Sequence, residues 1–383
     1  MQWKRKKIWP SGGLILLASL TPLHADGVAR NKNGQETLQP EVSVFSPHVS
    51  GEALFWSARQ DGLSYVVTTE APASDFTNIP GFGPLGNQNA DYFPAKHAKD
   101  KAMNFGWDWG FRVGIGGIFQ RQGNWDLNLV WTHYRQRNHA SAHQSAKNIL
   151  LPIWINPLVG FETATDAKAH WHLHYDTLDL EFGPCLHVTK WFSFRPHIDL
   201  RAARINQDFK VEYENINGFA RLPAVFGELD NKLKNDFQGI GLRLGFDTKW
   251  YFAEHWNVYG NFAAAFLYGV FHVGIEGDTE GFDLDQWTTQ NGFFPVVTPD
   301  LDYADRFHTT KTNIDLALGF SWEYPFSQNR RFFSLNVGYE YHIWFNQNQL
   351  ERLVEGQTSS GQFTKDHGDL GLSGLVLGAK CRF

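Results

Sequence analysis

The fold class this sequence predicts is an all-β, transmembrane, antiparallel up-and-down β-barrel. Three observations predict it. Long segments alternate bulky apolar with small or charged side chains at a period of two; no apolar run after residue 25 is long enough for a membrane helix; and the last such segment runs out to Phe383. The composition narrows the alternatives. Of 383 residues 19% are charged, below the roughly 25% usual for soluble domains, while 15 Trp and 32 Phe are far above the norm. Such a chain is not disordered. A net charge of −6 with no Lys/Arg cluster beyond the first residues argues against nucleic acid as a partner. Two cysteines, Cys185 and Cys381, are too few for a disulfide framework or a Cys-rich zinc site.

The first element reads as a secretory signal peptide over residues 1–25, with cleavage expected near Ala25. Lys4, Arg5, Lys6 and Lys7 precede the apolar run Leu14–Leu20, and Leu23-His24-Ala25 ends on a small residue. The run is too short to span a bilayer. Cleavage removes four basic groups, leaving 30 basic against 40 acidic, a mature charge of −10. Residues 26–48 then form a periplasmic N-terminal segment, and 49–383 the barrel with long extracellular loops.

The alternation is clearest at 105–119. Phe105, Trp107, Trp109, Phe111, Val113, Ile115 and Phe119 alternate with Gly106, Asp108, Gly110, Arg112, Gly114 and Gly116. On a strand these two sets occupy opposite faces, whereas a helix would scatter them. The pattern returns around Leu127, Leu200, Leu242, Leu316, Leu335 and Leu377. Segment 256–272 alternates less strictly, and 169–183 shifts phase near Asp176, which predicts a bulge. A soluble sandwich would alternate too, but with strands of about five or six residues; these are far longer.

Loop lengths set the strand count. Short connections at 120–124, 184–190, 253–255 and 325–330 alternate with long ones at about 68–103, 137–168, 206–235, 273–305 and 347–366. Barrels of this class keep short turns in the periplasm. The strands then fall at 49–67, 104–119, 124–136, 169–183, 190–205, 236–252, 256–272, 306–324, 331–346 and 367–383, ten in all. Asp61-Gly62 could turn the chain and split the first; with 207–216 also paired, the count would be twelve. This register places Trp107, Trp109, Trp171, Tyr268 and Tyr341 at the outer membrane interface, and Trp125, Trp191, Trp250, Trp256, Trp322 and Phe383 at the inner one.

With apolar faces outward, the lumen receives Asp108, Arg112, Arg195, His197, Asp199, Arg201, Arg243, Asp247, Asp315 and Glu340. A water-filled eyelet lined by both charge signs passes small polar solutes and discourages apolar ones. The same groups could instead pair across a narrow barrel and plug it. Two further clusters have bland readings. His170, His172 and His174 share one strand face, as lumen or rim polarity or as zinc ligands without a convergent carboxylate or cysteine. The acids of 273–305 read as a solvated loop. Asp302, Asp305 and His308 could be cast as a rim protease, but nothing sets them opposite a second pair, and no HExxH, GxSxG or Walker pattern occurs. No enzyme activity, cofactor or metal is expected.

The strings GEALFWSA (51–58), WDWGFRVGIGG (107–117), NWDLNLVWTHY (124–134) and the Phe194-Arg195-Pro196-His197 strand resemble the Legionella-type major outer membrane protein family, which has relatives in environmental chlamydiae. The terminal Phe383 resembles the sorting signal of bacterial outer-membrane proteins. The resemblance implies a porin-like surface protein of the bacterial outer membrane, passive diffusion of small hydrophilic solutes and ions, and contact with host surfaces. A surface adhesin or structural protein with a closed lumen is the alternative. Partners expected on this reading are outer-membrane lipid and lipopolysaccharide, the barrel-assembly machinery through the C-terminal strand, small solutes and a second copy of the chain. Some relatives are cross-linked through cysteines; with two here, extensive cross-linking is not expected.

Overall fold

A computed structural model describes residues 45–70, 97–119, 124–145, 147–155, 161–218, 227–280, 301–326, 331–354 and 362–383. The expected signal peptide and nearly all of the N-terminal segment lie outside them. Ten long strands form one antiparallel barrel: β1 (Phe45–Gln60), β2 (Asp108–Phe119), β3 (Trp125–His143), β4 (Asp166–Pro184), β5 (Phe192–Gly218), β6 (Gly227–Tyr251), β7 (Trp256–Glu280), β8 (Leu301–Phe326), β9 (Arg331–Trp344) and β10 (Leu370–Arg382). Each pairs with its neighbours in chain order, and β10 pairs with β1 from His48–Arg382 to Gln60–Leu370, closing the cylinder. Closure leaves no strand edge unpaired in hydrocarbon, where an unsatisfied backbone group costs several kcal/mol.

The outer surface carries a continuous apolar band. On β2 it comprises Trp109, Phe111, Val113, Ile115 and Phe119, all exposed, and the equivalent positions on the other strands are equally bare, such as Leu242 and Leu244 on β6 or Leu375 and Leu377 on β10. At about 3.3 Å per residue and a tilt near 40°, Trp109 to Phe119 spans about 25 Å of height, the apolar thickness of an outer-membrane barrel. Trp125, Trp191, Trp250, Trp256 and Phe383 stand exposed along its inner edge, Trp322 stacks on Tyr324 there at 5.8 Å, and Trp107 and Trp109 mark its outer edge with Phe55 packed between them.

Beyond the outer edge the polarity of the two faces inverts while the strand runs straight on. On β4, Leu178, Leu180 and Phe182 face lipid and Thr177 and Asp179 face the lumen; above Asp176 the outward positions become His174, His172 and His170, and the inward ones Tyr175, Leu173 and Trp171, each 2% exposed or less. The bulge expected near Asp176 is absent: β3 and β4 pair in unbroken register from Trp125–Pro184 to His143–Asp166. What shifts is the surroundings. Where lipid gives way to water, apolar side chains gain by turning inward, and the same alternation reads in opposite phase. The strands accordingly extend past the membrane, β5 to 27 residues and β8 to 26.

Other expectations are corrected. β1 starts at Phe45 and ends at Gln60; Gly62, with φ of 82°, turns the chain at Asp61-Gly62, and Ser64–Glu70 leaves the barrel to pair with Lys99–Ala102 and Asn148–Pro152 in a three-stranded cap. The split therefore adds no wall strand. Segment 207–216 is the outer half of β5, so the count stays ten. Phe105 turns inward and meets the Trp171 ring edge-on at 5.3 Å, and Trp171 itself is in the lumen rather than at the interface. The expected acidic loop is partly strand: Glu276 lies on β7 and Asp302 and Asp305 on β8, while 281–300 lies outside the described residues.

Ile115 stands at mid-band, opposite Val49 and Leu129. Ile115→Arg is expected to destabilise the barrel by about 2–4 kcal/mol and reduce the folded, heat-modifiable fraction in lipid vesicles, whereas His172→Arg, outside the band, leaves both unchanged.

Candidate functional site: the barrel lumen

Within the band, alternation delivers charged residues from every strand into one narrow space. The result is a continuous ladder of ion pairs. Arg112 on β2 binds Glu52 of β1 at 2.6 Å and Glu340 of β9 at 2.8 Å. His342 joins Glu340, at 3.1 Å from Nε2, to Asp315 of β8, at 2.8 Å from Nδ1. Asp315 receives Arg201 of β5 at 2.8 Å and Arg243 of β6 at 3.0 Å; Arg201 also holds Asp179 of β4 at 2.7 Å and donates to Asn313. Arg243 extends to Asp199 at 2.5 Å. The chain of contacts Glu52–Arg112–Glu340–His342–Asp315–Arg201–Asp179 thus crosses the lumen from one wall to the other.

A second cluster lies nearer the periplasm. Arg195 reaches Asp247 at 2.8 Å, Asp126 at 3.3 Å and Glu181 at 3.4 Å, and His197 holds Asp199 at 2.8 Å. A chamber of about 680 Å³ runs from the ladder residues Arg112, Arg201, Asp315 and Glu340 to the inner rim at His187, Lys249, Lys380 and Arg382. Inward glycines make room for its walls: the Tyr259 ring lies across the paired Gly319 and Gly338, where a Cβ on either would overlap it.

Above the ladder the lumen is apolar and filled. The Trp344 ring of β9 meets Tyr175 of β4 at 6.1 Å and Phe237 of β6 at 6.4 Å; Trp56 of β1 packs on Tyr134 of β3 at 5.6 Å. Gln207 of β5 donates to Gln60 of β1 at 3.1 Å, directly across the cylinder. The segment after β9 folds into this core: Asn235 donates to the Gln347 carbonyl at 2.9 Å, Asn348 to the Asp61 carbonyl at 2.9 Å, and Leu350 is buried. Trp154, just past the Asn148–Pro152 strand of the cap, is buried and donates to the Ser64 carbonyl at 2.8 Å.

Of the ten residues expected to line the lumen, nine point into this network. Asp108 departs from it: at the outer end of β2 its carboxylate accepts the Arg137 backbone N–H at 3.4 Å and takes no part in the chamber wall. Glu52, Asp126, Asp179, Glu181 and His342 complete the network without having been singled out. Asp179 and Glu181 share the inward parity of Thr177, a signal that the supposed bulge concealed. The three histidines of β4 face outward, not into the lumen, and no group of three potential ligands able to hold a metal occurs among the described residues. Asp302 and His308 share the outward parity of β8 and Asp305 the inward one, so these three do not converge. Cys185 lines the chamber at its rim, Cys381 lies on the outward parity of β10 opposite Val49, and both are free.

A closed ten-strand cylinder with a lipid-facing band defines an outer-membrane β-barrel protein. Residues 44–383 match the family described as the Legionella pneumophila major outer membrane protein precursor; the chain belongs to that family and to the bacterial outer membrane. No curated protein matches it. Similar solved structures include the outer membrane protease OmpT from Escherichia coli (7% identity, covering 88% of this chain and 96% of that one, TM-score 0.32), a Pseudomonas aeruginosa FadL homologue (8%, 89% and 90%, 0.25) and the P. putida toluene transporter TodX (8%, 88% and 89%, 0.29). Likenesses this remote carry no argument about activity.

Removing one member of a buried ion-pair chain leaves its partners charged and unpaired. Arg201→Met is expected to cost about 3–5 kcal/mol, seen as a lower urea midpoint for the detergent-refolded barrel.

Proposed function

We propose that this protein is a surface-forming outer-membrane barrel with a closed lumen and a polar chamber open toward the periplasm, and that it is not an enzyme. The observation that carries this reading is the ring contact across the outer lumen, where Trp344 touches side chains of both β4 and β6. Burying a large apolar side chain is worth about 1.5–3 kcal/mol, so displacing Trp344, Tyr175, Phe237 and Trp56 together would cost on the order of 10 kcal/mol. That is comparable to the whole stability of a domain. A plug of that cost behaves as core, not as a gate. The separation of Asp302 and His308 from Asp305 supports a non-enzymatic role. On this reading the outer loops and cap face host surfaces, and β10 with its terminal Phe383 engages the assembly machinery.

The second reading is a porin-like pore for small hydrophilic solutes and ions, favoured by the chamber of about 680 Å³ lined with both charge signs. Planar-bilayer recording separates the two. The closed-lumen reading expects no stepwise conductance from the refolded protein; regular single-channel steps in the absence of denaturant would establish the pore instead.

A further inference from the structure

On the outer surface, immediately above the lipid band, β3, β4 and β5 place cations and imidazoles side by side. In the strand register Arg135 lies opposite His174, and Arg137 opposite His172, all on the outward face; Arg204 of β5 stands opposite Asp176. Directly opposed residues on one face lie about 4.5–5.5 Å apart, and like charges there are mutually destabilising. Some outward cations of the same rim are neutralised, Lys168 by Glu214 at 2.5 Å, Lys210 by Asp230 at 3.0 Å and Lys234 by Glu276 at 3.0 Å, while Lys232 and Arg306 are exposed with no ion pair among the described residues. The Arg135 and Arg137 guanidinium groups form no ion pair among the described residues, the Asp108 carboxylate taking only the Arg137 backbone N–H, and the Arg204 side chain reaches only that of Asn206, at 3.1 Å. Of the nearby carboxylates, Asp176 is occupied by His133 at 2.7 Å and by the Trp131 indole at 3.2 Å, and Asp208 stands between His172 and Lys234. In a chain of net charge −6, Arg135 and Arg137 stand two residues apart on one outward strand face, each opposite an imidazole, with no ion pair among the described residues.

The height identifies the occupant. Trp131 is the last exposed ring of the band on β3, with Leu178 and Leu180 exposed beside it on β4. Arg135 follows four residues on, about 13 Å along the strand and about 10 Å higher at a tilt near 40°. A ligand there has its apolar part against Trp131 and Leu178 and its anionic part level with the arginines, and guanidinium groups bind phosphate bidentately. We propose that Arg135, Arg137, Arg204, His172 and His174 form a binding site for the phosphate groups of an outer-leaflet phosphorylated glycolipid, the lipid A part of lipopolysaccharide. The site is independent of whether the lumen conducts.

The test is titration of the full refolded barrel in detergent with diphosphoryl lipid A, read as the rise in its thermal midpoint. The wild type is expected to bind; phosphate-free lipid A is expected to bind at least tenfold more weakly, as is diphosphoryl lipid A to Arg135→Gln/Arg137→Gln. Lys99→Gln/Lys101→Gln, the same charge loss on the exposed cap sheet, is expected to bind like the wild type. Equal binding of the phosphate-free lipid, an unaffected Arg135→Gln/Arg137→Gln variant, or an equal loss in the cap variant would overturn the site. So would heparin, a soluble polyanion without acyl chains, binding the wild type as tightly as lipid A. A heat-dependent gel shift confirms that each variant is folded, and the phosphate-free arm decides the question with wild-type protein alone.

Discussion

Every backbone N–H and C=O that enters hydrocarbon must be paired within the protein, because no water is there to accept or donate. A sheet meets that condition only by closing on itself. The β1–β10 seam, hydrogen-bonded from His48 to Gln60, is therefore what the rest of the molecule depends on: once the cylinder is shut, each strand has one face to the surroundings and one to the lumen, with no third option. The chemistry of each position then follows from what lies outside it. Where lipid lies outside, the outward residues are Leu, Val, Ile and Phe and the inward ones are charged. Where water lies outside, the roles exchange.

That exchange gives the lumen its two storeys. In the membrane-level storey, charged side chains cannot be spared for the outer face and have to be satisfied inside, and the ladder through Arg112, Glu340, His342, Asp315 and Arg201 is the form this takes. Buried ion pairs are poor stabilisers relative to apolar packing, but costly to break singly. The ladder thus secures register and spacing among strands that are not neighbours, such as β2 with β9 and β5 with β8. In the upper storey the interior is an ordinary hydrophobic core, with Trp171, Phe209, Phe237 and Phe271 fully buried, and the inward segment around Gln347 and Asn348 completes it. The extracellular half of the cylinder is in this sense a water-soluble β domain standing on a membrane-embedded base.

Much of the membrane-level storey was legible in the linear chain. Arg112, Arg195, Arg201, Arg243, Asp315 and Glu340 fall on the inward face because the residues flanking them are bulky and apolar, and strict alternation leaves one assignment. The upper storey was not legible in the same way. Trp171 looked like an interface tryptophan and Asp176 like a bulge because a single rule, apolar means outward, was carried past the point where the solvent changes. Glu52 and Asp179 escaped notice because β1 mixes Leu54 and Trp56 with polar neighbours and the polarity of the two faces of β4 inverts at Asp176, three residues from Asp179.

What the amino-acid order determined by itself is the local term: alternation, the two aromatic girdles, the count of ten strands and the family. These depend on each residue's own side chain and on the period of two. What the tertiary structure alone decided is which side chains meet. No spacing in the chain announces that Arg201 would lie 2.8 Å from Asp315, or that Trp344 would lean on Tyr175 and Phe237, since those residues are brought together by the curvature and stagger of a closed sheet. Whether a lumen is open or filled is a property of those cross-barrel distances, and a sequence contains them only once the cylinder has closed.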